Sequence, residues 1–368
     1  MLNLFGRSKN KGAFGLDLGD VSLKLVQFEK QGTGFRKLVF SDELLPKGVI
    51  VQNTIKDPKT LVQLIQNAVA RPKFGHVSTT QVVASIPETK CFVRVISMSR
   101  VSEEEAVEAI PWESEAYIPI PRSQVYLDWV VLSEVDPAQK DKMKVLITAA
   151  PKDYVDEYTQ ILKEAGLKPM ALEIESQAIA RSLVSNPKET VLLLDIDTVR
   201  TSFIIYDQGT LEFTSSIPLA GTMFTDRIAK DLGVTAEEAE QLKRENGLDV
   251  ALAKGRVKKS LTPLIQDLVS ETKNILRFYE EHVNPTGKIS RLMLSGGSSK
   301  LKHLPSVLKE LLNKEDDGHV IRSLPSMRVE LGNPWQKILG KKQVPPLSRE
   351  ESLSYSTAIG LALWDFEE

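Results

Sequence analysis

The stretch Gly15–Glu29, "GLDLGDVSLKLVQFE", decides the fold. Apolar side chains at Leu23, Leu25 and Phe28, with Val21 and Val26 among them, read as a largely buried strand. Its head carries Asp17 and Gly19, and a carboxylate there is costly unless it meets a partner. A second stretch 178 positions on, "LLLDIDTVRTSFIIYDQGTLEFTSSIPLAG", sets Asp195 over Asp17, Val199 over Val21 and Phe203 over Leu25. Ile204 then falls over Val26 and Tyr206 over Phe28. Both copies run into a turn signal, "EKQGTGF" and "DQGTLEF", followed by another strand-like run. The pattern predicts a duplicated β-hairpin set in two similar halves.

With 368 residues, two or three domains are expected, and 42% hydrophobic residues suffice for more than one core. A net charge of −2 with interspersed signs advertises neither a nucleic-acid nor an anionic-membrane surface. The single cysteine, Cys91, excludes an internal disulfide; the start "MLNLFGRSKNKG" lacks a secretory pattern, and no run of about 20 apolar residues occurs. A cytoplasmic chain is expected. The short run Leu2, Leu4, Phe5 before Arg7, Lys9 and Lys11 reads as a frayed terminus or a weak membrane contact.

Strand, hairpin, a helix over "DPKTLVQLIQNAVARPK" and a strand over "QVVASIPE" form an α/β pattern. From about Thr89 to Lys168 the character changes. An acidic helix opens with the capping box Ser102/Glu105 and meets Pro111, which should kink or split it. Strand-like runs and the amphipathic helix "PKDYVDEYTQILKEAG" complete a compact set, read as an inserted subdomain. The expected division is 1–88 with returns at 169–189 and 349–368 for the first half, 89–168 for the insertion and 190–348 for the second half. Pro325 to Ser348 reads as irregular.

Small or acidic residues end three strands: Asp17–Gly19, Asp195–Asp197 and Ser295–Gly297. Backbone N–H groups at such ends receive phosphate oxygens, and paired acids hold a hydrated Mg²⁺. Other chemistries lack their signatures: there is no G-x-x-x-x-G-K-[ST] loop and no G-x-G-x-x-G. His76, His282, His303 and His319 show no metal-ligand spacing, Cys91 reads as a small hydrophobe, and Ser295 lacks the G-x-S-x-G elbow.

These residues resemble the actin-like ATPase superfamily. Asp17, Gly19, Asp20, Val21, Ser22 and Lys24 are similar to its first phosphate loop, and Asp195, Asp197 and Thr198 to the second. Lys24 also reads as a plain strand-edge charge. The helix bearing Glu240 and Lys243 resembles the adenosine-contacting helix of MreB and FtsA, though i, i+3 spacing also describes a surface ion pair. Gly296, Gly297 and Ser298 resemble the adenosine loop, and the resemblance makes Glu175 the residue that faces the attacking water. It implies an α/β actin-like fold of two related halves built on mixed sheets, with ATP and Mg²⁺ as cofactors and Asp17 and Asp195 around the metal.

The segment "EAVEAIPWESEAYIPIPRSQVYLDWVVL" and the opening of the chain resemble the PilM family of the type IV pilus inner-membrane platform. That resemblance implies a cytoplasmic ATP-binding scaffold that takes the N-terminal tail of a PilN-like membrane protein, meets other platform and motor proteins, and is peripheral to the inner membrane. Trp112, Tyr117 and Trp129 read either as partner anchors, flanked by Glu113 and Glu115, or as core of the small subdomain. Two positions depart from the superfamily: Asp197 replaces a glycine, and Ala220-Gly221 replaces a glycine pair. Both weaken phosphate contact, so ATP binding with little or no turnover is expected. An actin-like ATPase or an FtsA-like filament-forming tether is the alternative; the acidic C-terminal run argues against the tether.

Overall fold

A computed structural model describes residues 12–31, 34–132, 141–314, 320–339 and 346–366. The N-terminal run Leu2–Lys11 and His319 lie outside the described residues. The chain divides into two units. The first comprises Met1–Ser182, Gln336–Val344 and Tyr355–Glu368, and the second Leu183–Trp335 and Pro345–Ser354.

In the first unit, β1 (Phe14–Leu18), β2 (Ser22–Gln31) and β3 (Gly34–Leu44) form an antiparallel meander. A short ribbon follows, β4 (Ile50–Val51) with β5 (Thr54–Ile55), then α1 (Pro58–Ala70) and β6 (Gln81–Ile86). Asp57 caps α1 by accepting the Thr60 amide. Next come β7 (Phe92–Ser99), α2 (Glu103–Ser114), β8 (Val125–Leu132), β9 (Lys142–Pro151), α3 (Lys152–Glu164), β10 (Lys168–Ile174) and α4 (Glu175–Leu183). The sheet order is β3-β2-β1-β6-β10, with β1, β6 and β10 parallel.

The second unit repeats this order. Here β11 (Val191–Ile196), β12 (Thr201–Asp207), β13 (Thr210–Ile217), β14 (Arg291–Ser295) and β15 (Arg328–Leu331) run β13-β12-β11-β14-β15. The register is conserved as well. Leu16 faces Leu25 and Asp17 faces Lys24; 178 positions on, Leu194 faces Phe203 and Asp195 faces Ser202. Both hairpin turns close with one hydrogen bond, Gly19 N–H to Ser22 O at 3.0 Å and Asp197 N–H to Arg200 O at 3.1 Å. The duplication read from the sequence is therefore a duplication of register.

Helices α5 (Gly221–Leu232), α6 (Ala236–Asn246), α7 (Arg256–Phe278) and α8 (Leu304–Leu312) complete the second unit with the short α9 (Arg349–Ser352). Buried Phe224, Ile228, Leu261, Leu268 and Leu308 join Leu194 and Phe203 in one core. The last helix, α10 (Ser356–Ala362), belongs to the first unit. Glycines let it sit close: a Cβ at Gly15 would lie 2.2 Å from Ala358 O, and one at Gly360 would lie 1.8 Å from Ala178 O. Arg181 grips Glu173 with two bonds of 2.6 and 2.5 Å and donates to Gly360 O at 3.0 Å.

Four expectations shift. Helix α3, read as part of the insertion, buries Val155, Tyr158, Ile161 and Leu162 among Leu16, Leu61 and Ile65 of the main core of the first unit. Of the two outcomes expected at Pro111, the split does not occur: helix α2 continues through it to Ser114. The stretch read as irregular contains β15, a four-residue edge strand aligned on β14. Finally, residues 349–353 group with the second unit: Leu353 O accepts from Gly296 N–H and Arg349 donates to Gly332 O, and the chain's last stretch in the first unit begins at Tyr355.

One buried link joins α5 to α6. Lys243, 8% exposed, donates to Gly221 O at 3.0 Å and Thr225 Oγ1 at 2.9 Å, and pairs with Glu240 at 2.6 Å. Burial pushes the Glu240 pKa up, but hydrogen bonds from Lys243, Thr225 and Arg244 outweigh it and hold the carboxyl down at about 2, against 4.5.

Both buried ion pairs can be tested by unfolding. Glu173→Ala strands the Arg181 charge in a buried setting and costs about 3–5 kcal/mol in chemical denaturation, whereas Glu173→Leu combined with Arg181→Met costs far less. For Glu240 the folded pKa lies below the unfolded one, so its stabilisation is present above pH 4.5 and is lost as the pH falls towards 2. Glu240→Gln flattens that part of the denaturation-midpoint profile; an unchanged profile contradicts the linkage.

Candidate functional site

The first unit's candidate loop lies at the carboxyl end of β1. Asp17 is 9% exposed, and Ser85, on the adjacent parallel strand β6, donates to its Oδ1 at 3.0 Å and accepts from Leu18 N–H at 3.3 Å. Sequence reasoning does not find Ser85, because nothing in the chain's order shows which strand lies beside β1. The arrangement recurs: Asp195 pairs in register with Ser295 of β14. An aspartate beside a serine is thus built into both sheets.

Lys24 is not a strand-edge charge. Strand β2 is internal, and Lys24, 9% exposed, lies opposite Asp17 on one side and Asp42 on the other. Asp20 serves the fold locally, since its Oδ1 accepts from Asn53 N–H at 2.8 Å and so fixes the β4–β5 turn where Asn53 has φ +57°. Gly19 is demanded neither by φ nor by space, since a Cβ there would meet only Ser22 O at 3.5 Å. The repeat makes the same point, because Asp197 closes the same turn with a side chain. Among the described residues the amides of Asp20 and Val21 have no protein acceptor, which suits an anion.

Glu175 opens α4 directly after β10. Burial pushes the Cys91 thiol well up, with Glu88 and Glu175 adding to it, so Cys91 is no thiolate nucleophile. The Tyr158 hydroxyl is likewise pushed well up, by burial first and then by Tyr154, Asp17 and Glu175. Among the described residues the buried Ser176 hydroxyl and the Gln177 side-chain carbonyl have no hydrogen-bonded protein partner. Buried polar atoms of this kind call for water or a ligand.

In the second unit two segments, the start of α5 and the loop after β14, converge on the β11–β12 turn. Asp197 O accepts from Gly221 N–H at 3.1 Å and from Ser298 Oγ at 3.0 Å, and Thr198 O accepts from Thr222 N–H at 2.8 Å. The Gly221 amide and the Ser298 hydroxyl, expected to reach a nucleotide, instead bind the turn. Gly221 is required by contact, since its Cβ would lie 2.3 Å from Ser298 Oγ. Gly296 has φ +84° and would drive a Cβ to 2.4 Å from Ile196 O, so the chain itself demands it. Gly297 is different: a Cβ would meet only Asp197 Oδ1, at 3.9 Å. The Asp197 carboxylate and the Gly297 backbone therefore share one small surface. Lys243 is buried behind Gly221, whereas the Glu240 side chain stays 35% exposed.

Among the described residues no cluster of three His, Cys, Asp or Glu holds a metal unaided. Asp17 and Asp195 each offer a carboxylate of the kind Mg²⁺ takes singly or in pairs, completing its shell with water and phosphate.

The inserted subdomain carries the third candidate. Its sheet, β7-β9-β8, has α2 on one face, where Ile96, Val145, Ile147 and Ala149 pack with Ala106 and Ile110. Tyr117 and Trp129 join this core, and Arg94 lies over the Tyr117 ring at 5.1 Å. Only Trp112 of the three expected anchors is open, 68% exposed, with Arg122 5.9 Å from its ring centre. The opposite face carries the rows Val95–Leu146–Val130 and Val93–Thr148–Asp128, which α2 does not cover. Val130 is 40% exposed. At the end nearest α3, Tyr126 donates to Asp156 at 3.0 Å.

Among the described residues no helix is long and apolar enough to cross a membrane. The chain is similar to a chain of a solved PilM-PilN type IV pilus biogenesis complex, with 25% identity, TM-score 0.78, and coverage of 99% of this chain and 100% of that one. It shares its fold with the ethanolamine utilization protein EutJ of Carboxydothermus hydrogenoformans (16% identity, TM-score 0.56, covering 96% and 89% of the two chains). It does so too with MreB5 of Spiroplasma citri bound to AMPPNP (14%, 0.50, 95% of each chain). The fold is therefore that of the actin-like ATPases. The model of the type IV pilus assembly protein PilM matches residues 15–366, and the chain belongs to that family.

Proposed function

We propose that this chain is an ATP-binding scaffold of the type IV pilus machinery that holds the N-terminal cytoplasmic tail of a PilN-like inner-membrane protein, and so works at that membrane without crossing it. The observation that carries the reading is the end-to-end likeness to a chain of a PilM-PilN complex. The sheet face away from α2 supports it at its β8 side, because Val130 is 40% exposed there beside buried Leu146, an apolar surface that α2 leaves open. Trp129 and Tyr117 hold that sheet from behind. Other platform and motor proteins, or a second copy, have no comparable surface argued for them.

For the nucleotide, the open amides after Gly19, the bare Gly297 and the exposed part of Glu240 are the groups expected to meet it. Asp17 and Asp195 are the expected Mg²⁺ ligands, and the cation would screen phosphate charge. Ser85 holds Asp17, while Lys243 and Ser298 act by fixing Gly221 and the Asp197 turn. A carboxylate about 4 Å from a phosphate charge opposes it by roughly 1 kcal/mol in water-like surroundings and roughly 4 at an effective dielectric of 20. Asp197 therefore weakens binding, and turnover is expected to be slow or absent. Glu175, at the carboxyl end of β10, is what favours the rival, a true ATPase.

Titration calorimetry with a tail peptide, with and without Mg-ATP, tests the scaffold; saturable binding near one tail per chain is expected, and no heat in either state removes the reading. Asp197→Gly is expected to tighten Mg-ATP binding at least about fivefold. The Gly19 turn shows that glycine fits this position, so unchanged affinity would mean the carboxylate does not face phosphate. Steady phosphate release abolished by Glu175→Gln would establish the ATPase instead.

A further inference from the structure

The outer face of α2 carries more acid than its N-terminal turn can use. It carries Glu103, Glu104, Glu108 and Glu113, with Glu115 just past its end, and it has no basic residue. Glu104 and Glu108 stand at i and i+4, where like charges repel, and acids in the last turn oppose the helix dipole. No ion pair of these side chains occurs among the described residues, where surface pairs elsewhere are common. Among these acids stand Val107, 59% exposed, and Trp112, 68% exposed. Trp112 sits one turn past Glu108, so Glu104, Glu108 and Trp112 form one stripe. Arg122 already lies over the indole, which shows the ring in use as a cation-binding surface.

We propose that this face docks a cationic stretch of protein carrying at least one apolar side chain, and that the stretch is the membrane-proximal part of the same tail. The inference rests on the tail-binding reading above. It adds the chemistry of recognition. Segments next to a membrane span on the cytoplasmic side are enriched in Lys and Arg. Five carboxylates with an exposed tryptophan complement that composition, whereas anionic lipid and nucleic acid are repelled by it. The α2 face lies on the far side of the insertion from the apolar sheet face. A tail engaging both must travel about 20 Å, the thickness of a helix stacked on a sheet, or roughly six extended residues. The arrangement divides the work between two faces. The sheet takes the apolar part of the tail, and α2 holds the basic part and draws it in.

The test is calorimetric titration of the full chain with the tail peptide and with the same peptide in which each Lys and Arg is Gln, at low and high salt. Binding to the natural peptide is expected to weaken with salt, and the Gln peptide to bind about three- to tenfold more weakly at low salt, as for a few exposed ion pairs. The variant Glu104→Gln with Glu108→Gln should reproduce that loss with the natural peptide and leave the Gln peptide unaffected; Trp112→Ala should weaken the natural peptide further. These exposed positions leave the core untouched, so folding is preserved. Tail binding that ignores salt, peptide charge and both variants overturns this inference while leaving the scaffold standing. Absence of any tail binding overturns both.

Discussion

A carboxylate buried at the end of a strand is the constraint from which the architecture follows. Asp17 cannot stay ionised at 9% exposure without donors, and the donor comes from the next parallel strand, where Ser85 reaches it at 3.0 Å. That bond requires β6 to lie beside β1 in one register. It also requires a crossover helix, α1, long enough to bring the chain back in parallel. Asp195 stands in register with Ser295 in the second unit, half-buried, and the same strand order is found there. The hairpin that follows each aspartate then has its turn where the two strand ends leave backbone amides open.

Much of this was legible because periodicity and repetition are local properties. Leu25 and Phe28 announce a buried strand, and the copy at Phe203 and Tyr206 makes coincidence untenable, but the acid read as that strand's head belongs to the strand before it: Asp17 closes β1 and Asp195 closes β11, each one turn ahead. What was not legible depends on addresses that a sequence does not carry. Helix α3 shows an amphipathic face, but nothing in "YVDEYTQIL" says that the face meets Leu61 and Ile65 instead of the small sheet. Ser85 reads as one small residue in a strand, and its role exists only through its neighbour. Strand β15 has four residues and one pairing partner, too little pattern to stand out among prolines.

The same limit applies to side chains chosen for their chemistry. Lys243 and Glu240 were readable as a pair, but the pair turned inward: Lys243 anchors Gly221, the residue whose amide secures the Asp197 turn. Tyr117 and Trp129 were readable as aromatic anchors, and the core of the insertion claimed both. In each case burial decided between two readings that composition left equal. Trp112 is the exception: the acidic face around it offers no apolar partner, and it remains open.

The two hairpins also show how duplication leaves room for different chemistry. Matched positions hold the backbone constant, with the turn bond of Gly19 repeated at Asp197, while their charges diverge. The first copy has glycine where the second has Asp197, ties its own acid, Asp20, to Asn53, and buries a cation, Lys24, opposite Asp17. The second sets Ser202 opposite Asp195 and carries an acid and a base, Asp197 and Arg200, in the turn itself. Because a carboxylate where an anion would lie weakens binding while leaving the hairpin intact, nucleotide affinity can drift without loss of the fold. A scaffold tolerates that drift, since it needs only to hold a partner on a separate subdomain, whereas an enzyme that must stabilise a transferring phosphoryl group does not.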